Sequence, residues 1–126
     1  MPRKLKKFMP SLSDLKNKSK VIINFTDTDL DIEVDFTCEL PHQRLMQEAL
    51  HSASKSKGGK QSIDSLVFSR KIFVPCVMGW TIEQECSTET KMEFLGEDAV
   101  LNKMANHVAL KLMRLAQAKV DEEEGN

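Results

Sequence analysis

Side chains that could do chemistry are few in this chain, and they stand far apart. The cysteines Cys38, Cys76 and Cys86 are odd in number, and only Cys38 has a histidine, His42, four residues away. A zinc site needs a second Cys or His pair with matched spacing, and the sequence contains none. We therefore expect no metal site.

Three carboxylates, Asp31, Glu33 and Asp35, recur at every second position. In a β-strand such residues share one face. That face would be flat, and neither a histidine nor a turn would help to wrap an ion. It is therefore predicted to be a solvated acidic face, which also discourages edge-to-edge pairing of strands.

Two other patterns match catalytic or cofactor motifs only in part. Gly58-Gly59-Lys60 lacks the earlier glycine of the phosphate-binding pattern G-x-x-x-x-G-K-[ST]. His107 lies beside an apolar helical stripe, where we expect a partly buried surface histidine rather than an acid or base. No Ser/His/Asp or Cys/His set falls on adjoining predicted elements. The sequence thus predicts no catalytic residue, no cofactor and no enzymatic activity.

Length and composition predict one domain with its own core, since the chain has 126 residues, 40% of them hydrophobic. No apolar run reaches the ~18 residues of a membrane span, so we expect no membrane association. The basic N-terminus is not followed by the apolar run of a signal peptide. The unpaired cysteines suit reduced thiols in a cytosol.

Charge is segregated along the chain although the net charge is only −1. Residues 1–20 contain seven basic side chains and one acidic side chain, a net +6, whereas residues 27–39 contain six acidic ones, a net −6. These runs are either solvated faces or a basic arm that meets an acidic surface in the same chain or in a partner. The basic arm, residues 1–19, carries no nucleic-acid motif, so we do not expect nucleic acid as a partner.

The N-terminal part of the domain is predicted to be a β-hairpin over residues 20–37. Residues 20–26 are β-branched and aromatic, and residues 27–29 supply turn formers. The following strand alternates, with Leu30, Ile32, Val34 and Phe36 on a dry face. Because a lone hairpin is marginal in water, this face must cover the helices that follow.

Three helices are predicted after the hairpin. The first begins with Pro41 at its first position, and Ser62 caps the second, in which residues 72–78 fit either a helix or a buried strand because of Pro75. Loops are predicted at 54–61, around Gly58-Gly59, and at 81–90, followed by a short extended segment over 92–95. The predicted helices span residues 41–54, 62–79 and 97–119, and an acidic disordered tail follows at 120–126.

The fold class is therefore α+β, a mainly helical single domain with an N-terminal hairpin packed on the helices. Residues 63–82 hold the longest apolar run and the only tryptophan, Trp80, which we expect in the core. The last helix carries a clean apolar stripe. Leu110 and Met113 are apolar but lie off that stripe, and we predict that they bind a partner.

The C-terminal half resembles small tail assembly chaperones of long-tailed phages and prophages. Such proteins carry an apolar segment ending in V-x-G-W, a polar loop, and an F-x-x-E segment that opens the last helix. The matching residues in this chain are Val77, Gly79, Trp80, Phe94, Glu97 and Leu101.

The resemblance implies a non-enzymatic protein of the bacterial host cytoplasm. It would bind the long tape-measure protein, help to recruit tail tube subunits during tail morphogenesis, and be absent from the finished virion. One alternative is a virion structural protein, such as a minor tail or head–tail joining subunit. Another is a small nucleic-acid-binding regulator that uses the basic arm. The oligomeric state stays open.

Overall fold

The computed structural model describes residues 11–12 and 19–124. The basic arm therefore lies outside the described residues, apart from Ser11, Leu12 and Ser19. The described residues form both strands and helices, so the predicted α+β class is confirmed. Their order is β1 (Lys20–Asp27), β2 (Ile32–Glu39), α1 (Gln43–Ala53), β3 (Ser54–Lys57), β4 (Lys60–Ile63), α2 (Ser65–Cys76), β5 (Val77–Trp80), α3 (Thr88–Glu93) and α4 (Ala99–Glu124).

The predicted N-terminal hairpin is confirmed, and it extends to Glu39 rather than ending at residue 37. It is part of an antiparallel three-stranded sheet with the order β1-β2-β5. The inner face of the hairpin is dry, because alternate residues of each strand point to the same side. It consists of Ile23, Phe25, Val34, Phe36 and Cys38, all buried.

The turn of the hairpin differs from the prediction. Asp27 already belongs to β1, and its Oδ1 accepts hydrogen bonds from the backbone N–H groups of Asp29 and Leu30. Asp31 takes a left-handed conformation with φ of 54°, which acidic turn residues tolerate. Leu30 therefore sits in the turn, half exposed, and does not join the dry face.

The helices cover the inner face of the sheet. Helix α4 packs against β1 and α2, and α1 packs against the other flank of α2. Aromatic rings from three elements meet at the centre, where Phe36 contacts Phe73 and Phe94 edge-on at centroid distances of 6.0 and 6.1 Å. Such edge-to-face pairs add about 0.5–1.5 kcal/mol each to the apolar burial.

The segment predicted to be a loop, residues 54–61, is a second β-hairpin. Strands β3 and β4 pair from Ser54 with Ile63 to Lys57 with Lys60. Gly58 and Gly59 form the two-residue turn with φ values of 60° and 81°, a conformation that favours glycine. The sequence did not predict these strands, because residues 54–61 are mostly lysine, serine and glycine and contain none of the β-branched residues that are typical of strands.

The helix predicted over residues 62–79 is shorter and is followed by a strand. Its N-cap is Asp64, not Ser62, and Asp64 Oδ1 accepts from the N–H groups of Leu66 and Val67 at 3.1 and 3.2 Å. The helix ends at Cys76, one residue after Pro75. Proline has no N–H to donate to the preceding turn, which weakens the helix at this point. Residues 72–76 are thus helical, and Val77 begins β5, which pairs with Cys38 of β2.

The stretch predicted as a loop over 81–90 and an extended segment over 92–95 contains helix α3. A reciprocal capping box starts it, because Ser87 Oγ accepts from Thr90 N and Thr90 Oγ1 accepts from Ser87 N. The third helical position of this motif is usually Glu or Gln. Here it is Thr90, so the sequence did not indicate a capping box. Phe94 follows the helix in a helical conformation and is buried with Leu95.

The remaining boundaries shift by a few residues. Helix α1 begins at Gln43, with His42 as its N-cap and Pro41 outside it, and ends at Ala53 instead of residue 54. Helix α4 begins at residue 99 instead of 97, because Asp98 caps it by accepting from Leu101 N at 2.9 Å. It runs through Glu124, so residues 120–124 are helical rather than a disordered tail.

Candidate partner-binding groove

Helix α4 presents the predicted apolar stripe to the core. Met104, Ala105, Val108, Ala109, Leu112 and Ala116 are buried, while the flanking members of the stripe are half buried. Leu110 and Met113 lie beside it, half buried and in contact with the core rather than fully exposed. Since they are three residues apart, they share one side of the helix.

The structure brings Leu110 and Met113 together in one shallow groove. Its other walls come from α1, through Leu50, and from the end of β4, through Ile63, which are 40% and 53% exposed. Its floor is Phe68 of α2, only 2% exposed. All five lining side chains are apolar. They can contact a partner through apolar surface but provide no hydrogen-bonding side chain. We call these five residues the apolar groove.

The rim of the groove at Ile63 is held in place by Asp64. The Asp64 N–H donates to Ala53 O at 2.8 Å, which ties the end of β4 to the end of α1. Its carboxylate caps α2 and also pairs with Lys55 Nζ at 2.8 Å. The hydrogen bond from Lys55 holds the pKa of Asp64 below its ordinary value. One residue thus connects β3, β4, α1 and α2 around the groove.

The size of the groove suits side chains better than a small molecule. Its volume is about 190 Å³, whereas pockets for small ligands usually measure about 300–1,000 Å³. A row of apolar anchors on the surface of a partner, such as the i, i+3 and i+4 side chains of an amphipathic helix, fits a shallow apolar depression of this kind.

A second cleft lies on the opposite side of α4 and collects the residues of the V-x-G-W and F-x-x-E segments. Trp80, Phe94 and Leu101 line it, and its volume is about 230 Å³. The rings of Trp80 and Phe94 are stacked at a tilt, with centroids 5.2 Å apart. Val77, in β5, is buried on the inner face of the sheet, while Glu97 is exposed in the turn before α4. The two sequence segments are thus joined by packing.

Trp80 was predicted to be a core residue and is half buried instead. One side of its ring packs on Phe94, and its edge meets Phe36 at a centroid distance of 6.3 Å. Its indole N–H donates to Gln84 O at 2.7 Å. The ring therefore covers the core from the rim, as a tryptophan with one polar atom often does.

The cysteine and histidine residues considered as possible metal ligands or catalytic groups contribute to the fold. Burial raises the pKa of Cys38 and of Cys76 to about 12, so both are protonated thiols at neutral pH. His42 caps α1, and its Nδ1 accepts from Leu45 N. His107 is exposed, with Nε2 3.0 Å from Asn24 O and its ring edge-on to Phe25.

Sequence reasoning missed three of the groove residues. Leu50, Ile63 and Phe68 fall on the predicted helices 41–54 and 62–79, where the sequence alone does not separate groove residues from core residues. The second hairpin turns Ile63 outward, and that hairpin had no recognisable strand signal. Only the fold could show that these residues meet Leu110 and Met113.

Within the described part of the chain, no group of three or more His, Cys, Asp and Glu side chains is placed to hold a metal ion. None of the helices in that part combines the length and apolar character that crossing a membrane requires. No protein-family model, curated protein or solved structure matches this chain.

Proposed function

We propose that this protein is a non-enzymatic tail assembly chaperone of a long-tailed phage or prophage, acting in the cytoplasm of the bacterial host. Its partner is the tape-measure protein, and tail tube subunits join the complex as the tail grows. Residues 20–119 serve as one domain that presents the apolar groove.

The observation that carries this proposal is the apolar groove itself. Leu110 and Met113, selected from the sequence as partner-binding residues, line the same depression as Leu50 and Ile63, both partly exposed. Exposed apolar groups gathered at one place often mark a protein-binding surface. A tape-measure protein is long and largely helical, and an amphipathic helix supplies the row of apolar anchors that such a groove accepts.

Three of the residues that carry the resemblance lie close together in the fold. The V-x-G-W and F-x-x-E segments carry the resemblance to tail assembly chaperones, and their members Trp80, Phe94 and Leu101 line one cleft. In this chain the two segments therefore contribute to one surface feature.

Co-expression with the tape-measure protein of the same phage tests the proposal. The wild-type chain should co-purify with that protein and keep it soluble. Leu110→Asp with Met113→Asp should abolish co-purification, because two carboxylates would be buried in an apolar contact. Because these two residues also touch the core, Leu50→Asp with Ile63→Asp provides a second groove variant at more exposed positions.

The matched control is Leu66→Asp with Met92→Asp. These side chains are apolar and 46% and 38% exposed, but they do not line the groove. The control should co-purify like the wild type, and all variants should show melting temperatures that confirm folding. A wild-type chain that ignores the tape-measure protein and is instead found in purified particles would establish the alternative, a virion structural protein.

A further inference from the structure

The outer face of the three-stranded sheet points away from the helices and is open. Ile22, Asn24 and Thr26 of β1 are exposed there, as are Glu33 and Thr37 of β2. This surface is on the other side of the sheet from the inner residues that contact α2 and α4. We call it the outer sheet face, and it has an acidic half and an apolar half.

The acidic half is built from Glu33 and Asp35. Asn24 Nδ2 donates to Asp35 Oδ1 at 2.8 Å and to Glu33 Oε2 at 3.3 Å, which holds the two carboxylates side by side. Among the described residues, no lysine or arginine pairs with either of them, because the ion pairs found there join Lys103 to Asp27, Lys55 to Asp64 and Arg44 to Glu48. Two adjacent negative charges thus face outward with no cationic partner from the described part of the chain.

The apolar half lies one step further toward the end of the sheet where β1 begins. Ile22 is paired with Thr37, and Thr37 with Gly79 of β5. Ile22 is 70% exposed and Met78 is 51% exposed. Met78 is the extra residue of a β-bulge, because Val77 pairs with the buried Cys38 and Gly79 pairs with the outward-facing Thr37. Its exposed side chain therefore lies with Gly79 on the outer side, as does Ile22. Two exposed apolar side chains, on either side of Thr37, lie beside a fixed acidic pair and suit a cationic, partly apolar occupant.

We propose that the occupant is the N-terminal segment of this same chain, residues 1–10. It carries Arg3, Lys4, Lys6 and Lys7 and no acidic side chain, with Leu5, Phe8 and Met9 interleaved. Its basic groups match the Glu33–Asp35 pair, and its apolar groups match Ile22 and Met78. The segment thereby covers the outer sheet face.

The geometry of the tether favours this occupant over a separate protein. The chain enters the sheet at Lys20, two residues before Ile22 on the same strand. The ten residues between the segment and Val21 span at most ~3.5 Å each, so the acidic pair is within reach. A tethered segment also has an effective concentration in the millimolar range, which lets weak ion pairs and one apolar contact act together.

Photo-crosslinking of the full chain tests the contact directly. p-Benzoylphenylalanine in place of Phe8 should, on irradiation, crosslink within one chain to peptides from β1, β2 or β5. Raising the salt from about 0.05 M to about 0.5 M should lower the yield, because exposed charge pairs are screened.

Matched variants separate charge from apolar contact. Glu33→Gln with Asp35→Asn should lower the crosslink yield about threefold or more, whereas Asp29→Asn with Asp31→Asn, in the turn, should leave it unchanged. Ile22→Ser should lower the yield, and Leu30→Ser, at an exposed leucine outside the face, should not.

Three results would overturn the inference. One is crosslinking to the apolar groove or another helix, or no crosslink at all. Another is a crosslinked dimer as the main product, which would show that the segment reaches a second copy. The third is equal yields from the Glu33/Asp35 and Asp29/Asp31 variants. Only a crosslink to the apolar groove would also bear on the groove. The proposed function is tested separately, by co-purification with the tape-measure protein.

Discussion

Trp80 contacts the sheet and the segment after α3, and it lines the second cleft together with Phe94 and Leu101. Its ring touches Phe36 of β2 and Phe94 after α3, and its N–H reaches Gln84 O. Because it is half buried rather than enclosed, the cost of removing it should lie near the low end for large aromatic residues.

We expect Trp80→Ala to lower the free energy of unfolding by about 3 kcal/mol. Trp80→Phe keeps most of the stacking and loses the hydrogen bond, so its loss should be smaller, about 1 kcal/mol. Urea denaturation of the three proteins measures both values. Equal losses for the two variants would show that the hydrogen bond, and not the ring packing, carries the contribution.

Asp64 gives the fold an acid-sensitive contact at the groove rim. The pKa of Asp64 is lowered in the folded chain, chiefly by the hydrogen bond from Lys55. A lowered folded-state pKa adds stability that is fully present above the unfolded-state pKa, for which 3.8 is the reference, and is lost as the pH falls further through the folded value.

Asp64→Asn should therefore be less stable than the wild type at neutral pH, and the difference should shrink as the pH falls below about 4. Asparagine still caps a helix well, so α2 itself should persist. Denaturant melts at a series of pH values measure this convergence. A constant difference across the series would refute the role assigned to the Lys55 pair.

At the scale of elements, α3 secures the junction between α2 and β5. Lys91 Nζ donates to Val74 O at 2.8 Å and to Val77 O at 3.0 Å. These carbonyl groups lie on either side of Pro75, in the last turn of the helix and at the first residue of the strand. The lysine satisfies them in place of a continuing helix.

Lys91→Met keeps most of the side-chain volume and removes both hydrogen bonds. We expect a loss of about 1–3 kcal/mol in unfolding free energy, because two partly buried carbonyl groups lose a charged donor. Lys71→Met, on the exposed side of α2, is the control and should change stability by less than about 0.5 kcal/mol. Comparable losses at both positions would mean that Lys91 does not secure the junction.

Elements with a strong local pattern were predictable from the sequence. The alternation of Ile32, Val34 and Phe36 identified the hairpin, and the apolar stripe of α4 identified the last helix. The second hairpin, β5 and α3 were not, for distinct physical reasons. The second hairpin depends on a Gly-Gly turn between polar strands, β5 on pairing with β2, and α3 on a capping box with an unusual threonine.

At the scale of the whole molecule, the candidate site could be predicted only in part. Leu110 and Met113 stood out because they are apolar and lie off the stripe of their helix. Their groove partners come from α1, β4 and α2, and the contact depends on Asp64 joining those elements. Tertiary packing of this kind leaves no local signal in the sequence.

The central claim is that the apolar groove binds a helical tape-measure protein, and isothermal titration calorimetry tests it most directly. The wild-type chain should bind the purified tape-measure protein with a negative heat-capacity change, since apolar surface is buried. Leu50→Asp with Ile63→Asp should weaken binding about tenfold or more, and Leu66→Asp with Met92→Asp should match the wild type. Absence of wild-type binding, or equal affinities for all three proteins, would contradict the claim.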